Sequence, residues 1–261
     1  MTEGASDPTV PRAPGTPGWV TLLSHSLPAA RDFYGALFGW QFTEPGARVG
    51  PYEHALRVQC GGRDLAGMGE LAPRSRRLPA WTPYFTVPDA DGAADAVRFT
   101  GGTVAVGPLD LGRRGRMALC ADPAGAVLGV WQPRGPHEPP RRPQTGAAVW
   151  HELWVPEPSA VTRFYEWVFG CAFDKQPDGS LTLRAGGRAV AAIRPLSPAF
   201  PPHTPAHWGT HFAVKDVAES LDRLLGLGGR VLRGPYETAA GRRRAEAADP
   251  EGARFTLVEW D

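Results

Sequence analysis

Apolar side chains recur every three or four residues in two stretches of the chain, which is the spacing of one face of an α-helix. These stretches are Ala30–Phe38 and Val161–Phe169, and they are followed by Gly39 and Gly170. Because glycine readily adopts the left-handed backbone that terminates helices, the pattern predicts a helix ending at each glycine. Short alternating or apolar runs such as Leu181–Ala185 predict β-strands around them.

The two predicted helices belong to a longer internal repeat. Both contain Phe-Tyr and end in Phe-Gly, and further landmarks then recur in the same order. These are Trp81 and Trp208, Gly101-Gly102 and Gly228-Gly229, Gly107-Pro108 and Gly234-Pro235, and Asp122-Pro123-Ala-Gly125 and Asp249-Pro250-Glu-Gly252. We infer that the halves are duplicates. Each half contains the order β-α-β-β-β twice, so the chain holds four such modules.

The repeat and the distribution of proline and glycine predict four segments. Residues 1–17 form a flexible tail, and residues 18–133 form the first domain. Residues 134–146 contain four prolines and two glycines, which favour an extended linker. Residues 147–261 form the second domain. The pattern leaves open whether each half closes its own sheet or whether modules pair across the halves.

Composition narrows the kind of partner. The 261 residues include 28 Lys and Arg against 27 Asp and Glu, so the net charge is +1 and no strongly basic face for nucleic acid or an anionic membrane is expected. The three cysteines match neither a disulfide framework nor a zinc pattern. The N-terminus lacks the apolar core of a signal peptide, and no run is long enough to span a bilayer. We therefore expect a cytoplasmic protein without nucleic-acid or membrane partners, and the sequence leaves open whether it forms a homodimer.

A helix with Phe-Tyr and a terminal Phe-Gly, followed by Asp-Pro-x-Gly before a last strand, resembles the vicinal oxygen chelate superfamily. This superfamily includes glyoxalases, bleomycin resistance proteins and extradiol dioxygenases, and the resemblance covers all but the tail and the linker. It implies an α+β fold in which four βαβββ modules form two glyoxalase-like, eight-stranded bowls. It also implies that a concave face binds a small molecule, although fold alone does not settle the reaction.

Strand alternation predicts which side chains face the bowls, because neighbouring residues point to opposite faces of a sheet. Residues expected to line the first bowl are Trp19, Thr21, His54, Thr82, Tyr84 and Trp131. Residues expected to line the second bowl are Trp150, Glu152, Trp154, His211 and Arg254. A register shifted by one residue would instead turn His151 inward and bury Glu152 against the helices without a visible partner, so we favour the first register.

The resemblance also implies where metal ligands would lie, on the first and last strands of the modules. In this chain those positions are Trp19, Thr82, Gly129, Trp150, Gly209 and Thr256. None of these is a usual ligand for a divalent ion. We therefore expect no metal and no other cofactor.

Two functional hypotheses follow. In the first, the protein binds a small, aromatic or metabolite-like ligand in a metal-free bowl, because aromatic side chains stack well on flat molecules. In the second, it is a lyase, isomerase or oxygenase-type enzyme. Glu152 and His211 would then act as an acid–base pair or as part of a displaced metal site, and Arg254 would hold an anion.

Overall fold

The computed structural model describes residues 13–43, 53–72, 75, 77–135, 144–197, 200–201, 203–238 and 241–260. The elements of the first half are β1 (Pro17–Ser24), α1 (Leu27–Phe38), β2 (Gln41–Phe42), β3 (Glu53–Cys60), β4 (Arg63–Glu70), β5 (Ala80–Thr86), α2 (Ala90–Phe99), β6 (Thr103–Asp110), β7 (Gly115–Ala121) and β8 (Val127–Pro133). Those of the second half are β9 (Ala148–Val155), α3 (Thr162–Phe169), β10 (Ala172–Lys175), β11 (Leu181–Ala185), β12 (Arg188–Pro195), β13 (His207–Val214), α4 (Val217–Gly226), β14 (Arg230–Glu237), β15 (Arg243–Ala248) and β16 (Arg254–Glu259).

Each half closes its own eight-stranded sheet, which answers the question that the sequence left open. The strand order is β2-β3-β4-β1-β5-β8-β7-β6 in the first half, and the second half repeats it as β10-β11-β12-β9-β13-β16-β15-β14. The two modules of a half meet where their first strands pair antiparallel, β1 with β5 and β9 with β13. The predicted α+β fold of four βαβββ modules is confirmed.

Local sequence signals set the ends of the first helix in each half. Helix α1 begins after Ser26, whose side chain accepts a hydrogen bond from the backbone of Ala29, as an N-cap residue does. Helices α1 and α3 end at Gly39 and Gly170, with φ angles of 72° and 66°. These left-handed conformations cost glycine little, so both predicted helix ends are confirmed.

Part of the predicted tail is bound to the first sheet. The backbone of Gly15 donates to Thr86 at 2.8 Å, and Thr86 donates to Thr16 at 2.9 Å. Strand β1 begins at Pro17, so placing all of residues 1–17 in a flexible tail was wrong for residues 13–17. The rest of the tail, residues 1–12, and residues 136–143 of the linker lie outside the described residues.

The two sheets pack with their helix-bearing faces towards each other. One apolar core combines α1 and its strands with α4 and residues of β13, β15 and β16. A second core combines α2 with α3 and strands from both halves. The first module thus packs against the fourth, and the second against the third. Because the helices occupy the space between the sheets, the two concave faces point away from each other.

Two hydrogen-bonded triads, here called the Tyr–Asp clasps, join the halves. The hydroxyl of Tyr34 in α1 donates to Asp249 Oδ2 at 3.0 Å and accepts from Trp81 Nε1 at 3.0 Å. The second clasp is formed by Tyr165, Asp122 and Trp208, with distances of 2.9 and 3.2 Å. The repeated tyrosine, tryptophan and Asp-Pro-x-Gly landmarks are therefore interface residues, and each clasp reaches from one half into the other.

Candidate functional site

The concave face of the first sheet carries an apolar cluster, here called the first bowl. Its aromatic members are Trp19 on β1, Tyr84 on β5 and Trp131 on β8, and strand pairing places Trp19 beside Tyr84. Tyr84 is buried, whereas Trp19 and Trp131 are half-buried. This cluster is separate from the two cores between the sheets, so alternation assigned these three rings to the correct face.

Two glycines allow aromatic rings to lie close to the first sheet. A Cβ atom on Gly67 would come within 3.3 Å of Trp19 Nε1, and one on Gly129 would overlap the ring of Tyr84. Gly129 occupies one of the positions where the family would carry a ligand. In this chain that position makes room for a tyrosine ring.

The other residues predicted for the first bowl are two threonines and a histidine. Thr21 and Thr82 face each other across the β1–β5 pairing. Thr82 is buried and Thr21 is half-buried. His54 lies within β3, but its side chain is outside the described residues. Its predicted role as a ligand contact remains a prediction.

Sequence reasoning missed much of the apolar lining of this bowl. The additional members are Val106, Leu109, Leu111, Met117 and Leu119; Leu23 also belongs to the cluster, as alternation along β1 predicts. In β7 both faces are apolar, since Ala118 and Cys120 pack into the opposite core. Alternation therefore gave no signal that could have separated Met117 and Leu119 from their neighbours.

The concave face of the second sheet, here called the second bowl, has charged groups at its floor. Glu152 Oε2 on β9 lies 3.6 Å from His211 Nε2 on β13, and these side chains are only 6% and 3% exposed. The contact requires both residues on one face of the sheet, as the preferred register predicts. Their catalytic role remains a prediction.

Two arginines, neither of them predicted, neutralise Glu152. Arg194 Nε on β12 lies 3.1 Å from Glu152 Oε1, and Arg244 Nη1 on β15 donates to the same oxygen at 3.2 Å. Burial raises the pKa of Glu152, but His211 and the two guanidinium charges outweigh it and hold the pKa well below its ordinary value. Arg254, which is predicted from the sequence to hold an anion, is exposed at the start of β16, and that role remains a prediction.

His151 lies on the opposite face of β9 from Glu152, alternating with it and in phase with the core residue Leu153. Its Nδ1 atom is 3.2 Å from Thr210 Oγ1 on the paired strand. Burial lowers the pKa of His151 to about 3, with a smaller contribution from His211. His151 is thus a neutral histidine between the sheets, and it does not line the second bowl.

The second bowl has aromatic walls. Trp150 and Trp154 lie on the same face as Glu152, one on each side along β9, and both are half-buried. The ring of Trp154 packs against Phe200 with centroids 5.0 Å apart, and the Arg194 guanidinium lies 5.9 Å from the Trp154 ring centroid. An occupant of this bowl would meet aromatic sides and a polar floor.

The bowls differ chemically at equivalent positions. Thr21 and Tyr84 of the first bowl correspond to Glu152 and His211 of the second, because Trp19 pairs with Tyr84 where Trp150 pairs with His211. Met117 on β7 of the first half corresponds to Arg244 on β15 of the second half. The duplicated fold therefore presents one apolar and one charged concave face.

The residues present do not fit the metal site that the fold implies. Within the described part of the chain, no three His, Cys, Asp or Glu side chains are grouped so that they could hold a metal ion. Glu152 and His211 are in contact, but two arginines already compensate the carboxylate. A divalent cation there would have to displace them, because like charges repel at such distances.

Family comparisons agree with this architecture. Residues 16–130 match the family described as Glyoxalase/Bleomycin resistance protein/Dioxygenase superfamily, and residues 149–258 match the Glyoxalase-like domain. The chain therefore belongs to the glyoxalase, bleomycin resistance protein and dioxygenase superfamily, as a tandem two-domain member.

Curated relatives share nearly the whole length. The chain is 32% identical over 251 residues to the "Putative glyoxylase CFP32" of Mycobacterium tuberculosis, covering 94% of this chain and 95% of the relative. It is 34% identical over 274 residues to the "Anthracycline biosynthesis protein DnrV" of Streptomyces peucetius, covering 95% and 94%.

Solved structures share the fold. The Mn(II)-bound glyoxalase from Novosphingobium aromaticivorans superposes with a TM-score of 0.68 at 14% identity, covering 95% of this chain and 82% of that one. The 2,3-dioxygenase LapB from Pseudomonas sp. KL28 superposes with a TM-score of 0.65 at 15% identity, covering 95% and 93%. At these identities the likeness concerns architecture alone. In the described residues, no helix has the length and apolar character needed to cross a membrane.

Proposed function

We propose that the protein binds a planar, mainly apolar small molecule in the first bowl, without a metal. The observation that carries this proposal is the separate apolar cluster on an outward-facing concave surface, with Trp19, Tyr84 and Trp131 at its centre. Concave apolar sites with aromatic walls are the usual binding sites of small ligands.

The shape of the cluster favours a flat ligand. Gly67 and Gly129 let the flat faces of the Trp19 and Tyr84 rings approach the sheet closely. Planar ligands gain contact area and favourable stacking from such rings at small conformational cost. Two relatives are named anthracycline biosynthesis proteins, and anthracyclines contain a flat polycyclic aromatic system, which supports this ligand class for the present chain.

The test is calorimetry with quinizarin, a planar dihydroxyanthraquinone, on the unaltered protein and on Trp19→Ala and Trp131→Ala. Each substitution should weaken binding by about 1–3 kcal/mol, the scale of one lost aromatic contact. Trp167→Ala is the matched control, because Trp167 is 59% exposed on α3, outside both bowls. Unchanged affinity in both bowl variants, with the fold intact by circular dichroism, would show that the cluster is structural packing.

A second candidate function is catalysis in the second bowl, and the buried contact between Glu152 and His211 favours it. With its pKa held low, Glu152 stays ionised and is a weak base, and His211 is the other member of the candidate acid–base pair. A reaction that takes place in this bowl should be lost in His211→Asn and retained in Trp19→Ala. Turnover that survives His211→Asn would remove this candidate.

A further inference from the structure

Two buried nitrogen atoms of the second bowl lack a hydrogen-bond partner among the residues that the structure describes. They are His211 Nδ1 and Arg244 Nε, on side chains that both contact Glu152. A buried polar atom without a partner costs about 1–3 kcal/mol. Native proteins usually satisfy such atoms with a ligand or an ordered water.

The hydrogen-bonding roles of these two atoms follow from their neighbours. An ionised carboxylate only accepts, so the proton of a neutral His211 belongs on Nε2, which faces Glu152. Nδ1 then carries a lone pair and is an acceptor. Arg244 Nε–H can only donate. The second bowl therefore holds one unpaired acceptor and one unpaired donor, and a hydroxyl group is able to play both complementary roles.

Charge balance at the floor argues for a neutral partner. The connected ion pairs join Asp178 to Arg194, Arg194 to Glu152 and Glu152 to Arg244, with distances of 3.6, 3.1 and 3.2 Å. Two carboxylates face two guanidinium groups in this network, so its formal charges cancel when the His211 ring, which also contacts Glu152, is neutral. An added ion would be desolvated without a free counter-charge, and that is costly in a buried site.

We propose that the second bowl is a separate binding site for a neutral, hydroxyl-bearing ring, whose hydroxyl donates to His211 Nδ1 and accepts from Arg244 while the ring packs against Trp150 and Trp154. Glu152 is a positioning residue that selects the tautomer of His211. This site requires neither the aromatic ligand of the first bowl nor turnover in the second.

The first experiment compares four probes of one shape, namely benzyl alcohol, toluene, benzoate and benzylamine. Binding is followed by NMR shifts of the His211 ring. The protein carries Trp19→Ala, so that binding of a probe in the first bowl does not contribute to the result. Benzyl alcohol should bind about tenfold more tightly than each of the others, since one hydrogen bond to a charged donor contributes about that factor. Equal binding of toluene, or tighter binding of benzoate, would overturn the proposal.

The second experiment changes the charge balance. Glu152→Gln leaves Arg194 and Arg244 opposed by Asp178 alone, so benzoate should now bind more tightly than benzyl alcohol. Asp178→Asn is the matched control: it changes the charge equally at a side chain that is 62% exposed, and it should shift the preference much less. A preference for benzyl alcohol that survives Glu152→Gln would refute the charge argument.

The third experiment reads the tautomer directly by nitrogen NMR of histidine-labelled protein. The unaltered protein should show a protonated Nε2 and an unprotonated Nδ1 on His211. Glu152→Gln should weaken this preference, because an amide can either donate or accept. A protonated Nδ1 in the unaltered protein would contradict the assigned roles, whatever the first bowl binds.

Discussion

Removing the hydroxyl of Tyr34 tests whether the Tyr–Asp clasps hold the two halves together. In Tyr34→Phe the ring remains in the core, while Asp249 Oδ2 loses its donor and Trp81 Nε1 loses its acceptor. Burial and the charge of Asp249 raise the pKa of Tyr34, so the group that is lost is a protonated donor at every ordinary pH.

The expected cost follows from the groups left behind. Each unsatisfied buried polar group costs about 1–3 kcal/mol, and Asp249 keeps its bond from the backbone of Ala253 to Oδ1 at 2.8 Å. We therefore expect Tyr34→Phe to lower the free energy of unfolding by about 2–4 kcal/mol. For a chain of this size that corresponds to a fall in Tm of roughly 5–15 °C.

The assay is urea denaturation followed by circular dichroism, with Tyr236→Phe as the matched control. The hydroxyl of Tyr236 makes a longer contact of 3.4 Å to Glu246 on the half-buried edge of the second sheet, so its removal should cost less than about 1 kcal/mol. Combining Tyr34→Phe with Asp249→Asn should be less than additive, because the two residues share one hydrogen bond. If Tyr34→Phe destabilises the protein no more than Tyr236→Phe, the clasp is not a stabilising contact and this reasoning fails.

Two further predictions concern pH and metal. His151 has a pKa of about 3 in the folded protein against 6.5 for an unperturbed histidine, so its contribution to stability is complete above pH 6.5 and is lost as the pH falls towards 3. Measured as the difference between the unaltered protein and His151→Gln, this loss should reach about 2 kcal/mol by pH 5, and a difference that does not vary with pH would contradict it. Purified protein should carry no stoichiometric divalent metal, and dialysis against EDTA should leave its Tm unchanged, because the usual ligand positions hold Trp, Thr and Gly. Elemental analysis that finds about one Zn, Ni, Mn or Fe per bowl would disprove this.

Much of the candidate site could be predicted because strand alternation is a local property. Leu153 and Val155 are apolar, so they assign one face of β9 to the core and leave Glu152 on the other. The same logic placed Trp19, Tyr84 and Trp131 together. It did not find Arg194 or Arg244, because arginine is common on solvated faces and nothing in its sequence neighbours shows which carboxylate its long side chain reaches. Arg254 satisfied the same alternation and yet lies exposed.

The βαβββ modules could be predicted from local sequence. Helical spacing, terminal glycines and the repeated landmarks are properties of short segments. Because the chain is duplicated, each prediction could be made in both halves.

How the modules combine depends on contacts between distant parts of the chain, which local sequence does not encode. Strand edges pair through backbone groups that carry no side-chain identity, so β1 could have paired with a strand of either half. The clasps depend on this packing. Tyr34 in a helix and Asp249 in a turn lie 215 residues apart in the sequence, and they come into contact only when the sheets pack back to back. That packing turns one concave face of each half outward, and the side chains that distinguish the two faces come from strands far apart in the chain.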